Sequence, residues 1–318
     1  MGKFFAPLAT GTTPMTLPER HEGNGLMRFF RPHQAGVNVY ITGGAATTTQ
    51  PANVDEITRV FHGGHVPEAV TDSEASILEA GGFSVVDTAT LLSSATVFLS
   101  PLGVSASWAG EDWENAGDGG ATFDTPFLGT NDDVTFTGTG FRIPVQSGTT
   151  GGVADDDGFA VPDDGTLAGH MAGDWTFTMT FTPLYDNPLT CRYARKYTGA
   201  NILVSGAGMV VESTLPVGGF IAAVVTDVVD GFVTGGASFI GSVRSGRQAV
   251  TLRMADGQLT VFRGGGKILS RPVEGSPVDA SDITIGPGQE IHGLAWWGSA
   301  LTDAEVLALH SNGGEALG

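Results

Sequence analysis

The stretch DWTFTMTFT, residues 174–182, constrains the fold more than any other part of the chain. Its large apolar residues alternate with threonines, so an extended backbone places apolar side chains on one face and hydroxyl groups on the other. The apolar residues are Trp175, Phe177, Met179 and Phe181. This period of two residues predicts a half-buried antiparallel strand.

Other segments in the second half of the chain repeat this pattern. Residues 250–254 alternate in the same way, Asp256-Gly257 predicts a hairpin turn, and residues 283–285 predict another short strand. The 318 residues include 48 glycines and 16 prolines, a content typical of many short strands joined by tight turns. We therefore predict a two-sheet antiparallel sandwich over residues 126–318.

Charge and composition exclude several classes of function. The chain has 15 basic and 34 acidic residues, a net charge of −19, which would repel phosphate backbones and anionic lipids. We expect no nucleic-acid partner. No apolar run reaches the roughly 20 residues of a membrane helix, so no membrane insertion is expected. The single cysteine, Cys191, excludes an internal disulfide.

The first residues lack a basic region followed by an apolar core, so we expect no secretory signal and synthesis in a cytoplasm. The pattern changes along the chain predict four parts. These are an extended arm (1–27), a small α+β module (28–87), a connector (88–125) and the sandwich (126–318). Within the module, Thr71 and Glu74 have the spacing of a helix capping box.

A short helix is predicted at the end of a chain that otherwise shows mostly strand patterns. Thr302 and Glu305 form a second capping-box pattern, and Leu301, Val306 and Leu309 form an apolar stripe. A helix this short does not persist alone in water, so it must pack against the sandwich, where it is short enough to close one edge.

The segments ADGQLTVFRGGGKI and DITIGPGQEIHGLAWWGSALTDAEVLALH carry a family pattern. Together with the strand at 174–182, they resemble the concanavalin A-like lectin/laminin G-like (LamG) jelly roll over roughly residues 125–315. The resemblance implies a mainly β fold whose sandwich is closed by a short helix. It also implies a lectin-like surface that binds carbohydrate.

The segments RPHQAGVNVYITGG and ITRVFHGGHVPEAVTDSEASILEAGGF resemble a module at the front of minor tail proteins of phages that infect actinobacteria. This resemblance implies a structural virion protein in the phage tail, attached through residues 28–87 to other tail proteins. Tail proteins are commonly symmetric, so a homo-oligomer is expected, with a trimer as the leading arrangement. A capsid decoration protein with the same lectin-like domain is the alternative.

No catalytic site is predicted. Glycosidases of the jelly-roll class use two carboxylates in an E-x-D-x-x-E pattern, which the chain lacks. Residues 111–114, with the sequence EDWE, have the wrong spacing and lie in the connector. We therefore expect a protein that is not an enzyme. A cell-envelope glycan hydrolase on the same fold remains an alternative.

Acidic loops suggest Ca²⁺ as a cofactor, because hard cations bind converging carboxylate and carbonyl oxygens. Laminin G-like domains often hold one such ion at a loop end, which the resemblance extends to this chain. The candidate ligands are Asp155, Asp156, Asp157, Asp163 and Asp164. Solvated loops without an ion are the alternative reading.

Two further groups are candidates for a surface that binds a glycan or another tail protein. Trp296 and Trp297 are adjacent in a strand and must point to opposite faces. One should lie in the core, and the other under the terminal helix, at a subunit contact or against a sugar. Arg192, Arg195 and Lys196 form a basic cluster, either solvated or facing a neighbour's acidic loop.

Overall fold

The structure is a computed structural model that describes most of the chain. The described residues are 2–7, 37–63, 67–128, 134–145, 158–184, 191–198, 207–214, 219–225, 227–229, 232–234, 237–242, 246–264, 266–273, 275–311 and 314–318. It is mainly β with short helices, which confirms the predicted fold class. No helix among these residues is long and apolar enough to cross a membrane.

The first part of the chain forms two small sheets and two helices. The strands are β1 (Lys3–Phe5), β2 (Val39–Thr42), β3 (Ala45–Thr47), β4 (Ile57–Phe61), β5 (Glu68–Val70) and β6 (Val86–Asp87); the helices are α1 (Asp72–Ala80) and α2 (Thr88–Ser93). The sheets have the orders β5-β1-β6 and β3-β2-β4, both antiparallel. Short 3₁₀ turns cover Val54–Glu56 and, later, Gly120–Phe123.

The beginning of the predicted arm is a paired strand. β1 lies between β5 and β6, and Phe5 packs with Phe61 and Leu78 in a small separate core. Residues 8–27 of the arm lie outside the described residues. The predicted capping box of α1 is confirmed: Thr71 Oγ1 accepts from Glu74 N, and Glu74 Oε2 accepts from Thr71 N.

The remaining elements build the sandwich. Its strands are β7 (Val97–Leu99), β8 (Phe127–Leu128), β9 (Thr135–Phe136), β10 (Phe141–Ile143), β11 (Gly158–Val161), β12 (Trp175–Pro183), β13 (Cys191–Lys196), β14 (Gly208–Thr214), β15 (Gly219–Val225), β16 (Asp227–Val229), β17 (Phe232–Thr234), β18 (Ala237–Ser242), β19 (Gln248–Ala255), β20 (Gln258–Arg263), β21 (Gly266–Pro272), β22 (Ile283–Ile285) and β23 (Gln289–Trp297). Its helices are α3 (Thr166–Met171) and α4 (Asp303–Leu309).

Two antiparallel sheets enclose the main core. The first has the order β21-β20-β19-β12-β23-β10-β9, with β7 also paired to β23, and the second has the order β18-β15-β14-β13-β22-β11-β8. β16 and β17 pair separately as a hairpin. Since β7 comes from residues 88–125, part of the predicted connector belongs to the first sheet.

The strand that dominated the sequence pattern is central, with β19 on one side and β23 on the other. Its four apolar side chains point into the main core, as the alternation predicts. The prediction of a half-buried strand is wrong, because Thr176, Thr178 and Thr180 on the opposite face are also fully buried. A second layer covers that face.

The second layer consists of α2, α4 and the last residues of the chain, which share an apolar cluster with outward-facing residues of the first sheet. Thr176 Oγ1 accepts from Leu301 N at 3.0 Å, and Arg253 Nη1 lies 2.7 Å from the carboxylate of Asp303. The terminal helix therefore packs as expected, with its capping box formed, but it covers a sheet face instead of an edge.

Candidate binding site

The predicted basic cluster is divided between the two faces of β13. Pairing with β14 shifts register between Arg192 and Ala194, so the strand contains an extra residue. This irregularity puts Arg192 and Arg195 on the outward face, although they are three positions apart and a regular strand would place them on opposite faces. Lys196 follows directly, points inward and is fully buried.

The two outward arginines surround a tyrosine. The guanidinium carbons of Arg192 and Arg195 lie 5.9 and 5.6 Å from the centre of the Tyr197 ring. Across the sheet, Glu212 Oε2 lies 3.7 Å from Arg192 Nε. Burial raises the pKa of Glu212, against the opposing effect of Arg192, and burial also raises the pKa of Tyr197. We call these four residues the arginine face.

Lys196 instead pairs with one of the predicted calcium ligands. Its Nζ lies 2.5 Å from Asp163 Oδ2, and both side chains have no exposed surface. Lys196 also donates to the carbonyl of Ser281. The other contacts of the Asp163 carboxylate come from backbone: Oδ1 accepts from the N–H groups of Gly165 and Leu167, and Oδ2 from that of Ala168.

The Asp163 carboxylate therefore holds the start of α3 against β13. The expectation that it binds Ca²⁺ is corrected, because its carboxylate oxygens accept from four donors and the ammonium group occupies the position of a cation. Asp164 is exposed and accepts from Thr166 N at 3.0 Å, and these hydrogen bonds from Thr166 lower the pKa of Asp164. Asp155, Asp156 and Asp157 lie outside the described residues. Among the described residues, no group of three or more His, Cys, Asp or Glu side chains is arranged so that it could hold a metal ion.

Both tryptophans of the predicted ligand surface are buried, which corrects that expectation. Trp296 has no exposed surface, stacks on Trp175 at 4.9 Å between ring centres, and donates to His170 Nδ1. Trp297 points to the other face, lies beneath the second layer, and donates to the carbonyl of Leu91 at 3.1 Å. The prediction that one indole lies in the core and the other under the terminal helix is confirmed, and neither indole is open to a sugar.

Trp108 is the tryptophan that does reach the surface. The other four of the five are buried, whereas Trp108 is half-buried in the loop after β7. Its ring packs edge-on against Phe127 and Phe141, with centres 5.5 and 5.0 Å apart, at one end of the main core. The indole is held by a hydrogen bond from Nε1 to the carbonyl of Glu111 at 2.9 Å.

Exposed polar side chains surround this indole. Ser105 and Ser107 share a hydrogen bond of 2.8 Å, and Trp108 N donates to the carbonyl of Ser105. Glu111 Oε2 accepts from Ala109 N at 2.7 Å, and such backbone hydrogen bonds lower the pKa of Glu111. We call residues 105–111 the Trp108 loop. An anchored aromatic ring with hydroxyl and carboxylate groups beside it suits an amphipathic ligand.

The sequence carries only a partial signal for this site. Trp108 stands among serines, glycines and acidic residues, without the alternation that buries Trp175, Trp296 and Trp297 in strands. Trp113 has similar neighbours, yet it is 1% exposed. A polar loop therefore marks both residues as candidates for an exposed ring, and only packing against distant segments separates them.

Comparison with known proteins supports the fold but assigns no function by itself. No protein-family model matches the chain, and no curated protein is similar to it in sequence. The binding domain of botulinum neurotoxin DC, solved with rat synaptotagmin II, matches 69% of this chain and 52% of its own chain, with 9% identity and a TM-score of 0.51. Botulinum neurotoxin type C, whose cell entry depends on interaction with two ganglioside molecules, matches 71% and 53%, with 10% identity and a TM-score of 0.53.

The expectation that the chain is not an enzyme is contradicted by the same comparison. A sialidase of Trypanosoma rangeli, solved with sialic acid, matches 73% of this chain and 34% of its own, with 17% identity and a TM-score of 0.48. At that similarity it assigns no catalytic residue here. This chain spans about half of the neurotoxin chains and a third of the sialidase chain. What the neurotoxin chains share with it is a β-sandwich fold.

Proposed function

We propose that this chain is a structural protein of a phage tail whose sandwich binds a carbohydrate of the host cell envelope at the Trp108 loop. The observation that carries the binding proposal is the state of Trp108. It is anchored through Nε1 and three aromatic contacts, yet it remains half-buried beside exposed serines and a carboxylate.

A fixed aromatic ring is well suited to a sugar. The apolar face of a pyranose packs on an indole, and the hydroxyl groups at its edge pair with neighbouring polar side chains. A ring that is already held in place loses little conformational entropy on binding. The neurotoxin matches add support at the level of fold, since one of those proteins interacts with gangliosides.

The virion role has separate support. It comes from the resemblance of residues 31–83 to the front module of minor tail proteins, and from the paired strand β1, which fixes the first residues of the chain to that module. In this proposal residues 28–87 attach to other tail proteins, the sandwich faces the host, and the protein is a trimer. Light scattering of the purified chain measures its oligomeric state.

A binding experiment tests the carbohydrate proposal. The purified chain is applied to an array of actinobacterial cell-envelope glycans, and the strongest ligand is titrated by calorimetry. We expect Trp108→Ala to weaken binding roughly tenfold or more, as loss of an aromatic anchor does. Trp297→Phe is the matched control, since that indole is buried beneath the second layer. Mass spectrometry of the incubated glycan shows at the same time whether it is cleaved.

Two results would contradict the carbohydrate proposal. One is an array without any bound glycan, with and without added Ca²⁺. The other is equal affinity in the wild type and in a folded Trp108→Ala variant. Trp108→Phe, which keeps a ring in the same core, covers the case in which the alanine variant does not fold.

Microscopy tests the location. Virions labelled with an antibody against the sandwich should carry the label on the tail in negative-stain images. Label on the capsid alone would favour the decoration-protein alternative, and unlabelled virions would contradict both forms of the proposal.

A further inference from the structure

The outward face of the first sheet carries a hydroxyl group and an imidazole in direct contact. Thr182, near the end of β12, is half-buried, and its Oγ1 lies 2.8 Å from His292 Nε2. His292 belongs to a bulge of β23, because pairing with β12 passes from Ile291 to Gly293 and leaves His292 without a partner there. Bulges often re-aim a side chain next to an active site. Here the extra residue directs the imidazole at the hydroxyl group of the neighbouring strand.

The proton positions of this pair follow from its other contacts. His292 Nδ1 lies 2.9 Å from the carbonyl oxygen of Thr139, and a carbonyl can only accept, so Nδ1 carries the proton. Burial lowers the pKa of His292, which keeps the ring neutral and leaves a lone pair on Nε2. Thr182 therefore donates its hydroxyl proton to His292, which is the polarity that a nucleophile and its general base require.

A second threonine–histidine pair on the same sheet has the opposite polarity. Thr251 Oγ1 donates to Thr178 Oγ1, which itself donates onward to a backbone carbonyl. The 2.8 Å hydrogen bond between Thr251 and His310 Nε2 is therefore donated by the histidine. Both threonines of this second pair and its network are fully buried, whereas Thr182 reaches solvent. A threonine beside a histidine is thus not by itself a nucleophile, and only the pair with the correct polarity is also open to a ligand.

A carboxylate and a guanidinium flank the solvent-accessible pair. Glu290 is the cross-strand partner of Thr182, and its Oε1 lies 3.9 Å from His292 Nδ1. That distance exceeds a hydrogen bond, so Glu290 stabilises a protonated ring through its charge, and Thr137 Oγ1 holds the carboxylate with a hydrogen bond of 2.7 Å. Arg142 is the partner of Glu290 on β10, is exposed, and forms no ion pair within the described part of the chain. Hydroxyl, imidazole and carboxylate thus follow one another in the order of a hydrolase triad, with a cation beside them.

We propose that Thr182 and His292 hydrolyse a carboxylic ester, with Thr182 as the nucleophile and His292 as the general base. Thr182 Oγ1 attacks the carbonyl carbon while its proton passes to His292 Nε2, and Arg142 stabilises the negative charge on the carbonyl oxygen. The C–O bond to the alcohol then breaks, and the alcohol leaves with the proton from Nε2. Water, which gives a proton to the same nitrogen, attacks the acyl group; Thr182 leaves with that proton and the carboxylic acid is released.

This activity goes beyond the proposed binding function. It depends on neither sugar recognition at the Trp108 loop nor a location in a virion. The neutral ester carbonyl also suits an acidic chain, whose net charge of −19 disfavours polyanionic substrates.

A covalent label tests the inference on the wild type. A fluorophosphonate phosphonylates an activated hydroxyl group irreversibly and releases fluoride, so it records the nucleophile whatever the later steps of turnover. We expect mass spectrometry of the digested chain to find the phosphonyl group on Thr182. A label on another residue, or none, would overturn the inference.

Turnover of p-nitrophenyl acetate gives a second test. Thr182→Val and His292→Gln should each slow hydrolysis about a hundredfold or more, since each removes a member of the nucleophile–base pair. Thr182→Ser keeps a hydroxyl group and should retain turnover, which a merely structural role of the threonine methyl group would not predict. Thr284→Val is the matched control, because it makes the same change at a half-buried threonine of the second sheet.

Equal turnover by the wild type and a folded Thr182→Val variant would contradict the inference, because other surface groups would then account for the hydrolysis. Near-ultraviolet circular dichroism shows whether each variant is folded, and the label on the wild type decides the question if Thr182→Val is not. The proposed function fails separately: an array without bound glycan, together with a label on Thr182, would overturn carbohydrate binding and leave the ester hydrolysis standing.

Discussion

At the scale of single residues, the ion pair of Lys196 and Asp163 is the most consequential buried interaction of the sandwich. Neither side chain is exposed, and Asp163 also accepts from three backbone N–H groups at the start of α3. Charges taken out of water are tolerated only when they are paired and fully hydrogen-bonded. The pair therefore fixes the position of α3 on β13, and substituting either residue should destabilise the fold.

Breaking this pair should destabilise the protein strongly. We expect Lys196→Met to lower the free energy of unfolding by about 3–5 kcal/mol, because it leaves the Asp163 carboxylate buried without its counterion. The double variant with Asp163→Asn should lose less than the sum of the single changes. Urea unfolding followed by tryptophan fluorescence measures both.

The matched control is Asp164→Asn. Asp164 is the exposed neighbour, and asparagine can still accept from Thr166 N, so the unfolding midpoint should move far less than in Lys196→Met. Strictly additive effects of Lys196→Met and Asp163→Asn would show that the two side chains do not interact.

At the scale of elements, the sequence predicted what depends on local pattern. The alternation of residues 174–182, the Asp256-Gly257 turn and both capping boxes all appear in the structure. Asp256 and Gly257 have φ angles of 50° and 72°, the left-handed values that a tight hairpin requires.

What the sequence did not predict depends on pairing between distant segments. No local pattern reveals that β13 shifts register against β14, so Arg192, Arg195 and Lys196 could not be assigned to faces. Likewise, the threonines of β12 have the pattern of a solvated face, and only the packing of the last residues buries them. For the same reason, the sequence did not show that Trp108 reaches the surface or that the basic cluster is divided between the two faces of β13.

The terminal helix makes stability depend on pH through His310. This residue follows α4, is fully buried, and shares a 2.8 Å hydrogen bond with Thr251 Oγ1, which itself donates to Thr178. Burial lowers the pKa of His310 to about 3, whereas an unfolded histidine has a pKa near 6.5. Between these values the unfolded chain binds a proton that the folded chain does not, so stability is lost as pH falls.

Within that window, we expect His310 to lower the free energy of unfolding by about 1.4 kcal/mol for each unit by which the pH falls. His170 and His292 have pKa values that burial also lowers, so they act in the same direction. The test therefore compares how steeply the free energy of unfolding falls with pH in the variant and in the wild type. The free energy of unfolding of His310→Gln should fall less steeply than that of the wild type from pH 6.5 to 4.5. Parallel slopes would mean that His310 is protonated in the folded protein.

At the scale of the whole molecule, the two ends of the chain meet. Strand β1 lies near α4 as well as between β5 and β6, and α2 packs against α4. The second layer on the first sheet thus connects the small module to the sandwich. Each has its own apolar core, since Phe5, Val39, Ile41, Phe61 and Leu78 form a cluster separate from the main one.

Separate cores predict that the module can unfold while the sandwich persists. Phe5 is 3% exposed and packs edge-on against Phe61 at 5.0 Å, so Phe5→Ala should cost about 3–5 kcal/mol, a large share of so small a core. Phe4→Ala is the matched control in the same strand, because that side chain is only half-buried and points to the other face.

All five tryptophans lie between residues 108 and 297, so tryptophan fluorescence reports on the sandwich alone. Hydrogen exchange should show lost protection in β4 and β5 of Phe5→Ala at temperatures where its fluorescence is still native. A single transition seen by both methods would mean that the contacts through α2 and α4 join the two cores into one cooperative unit, and attachment through the module would then be coupled to the binding surface.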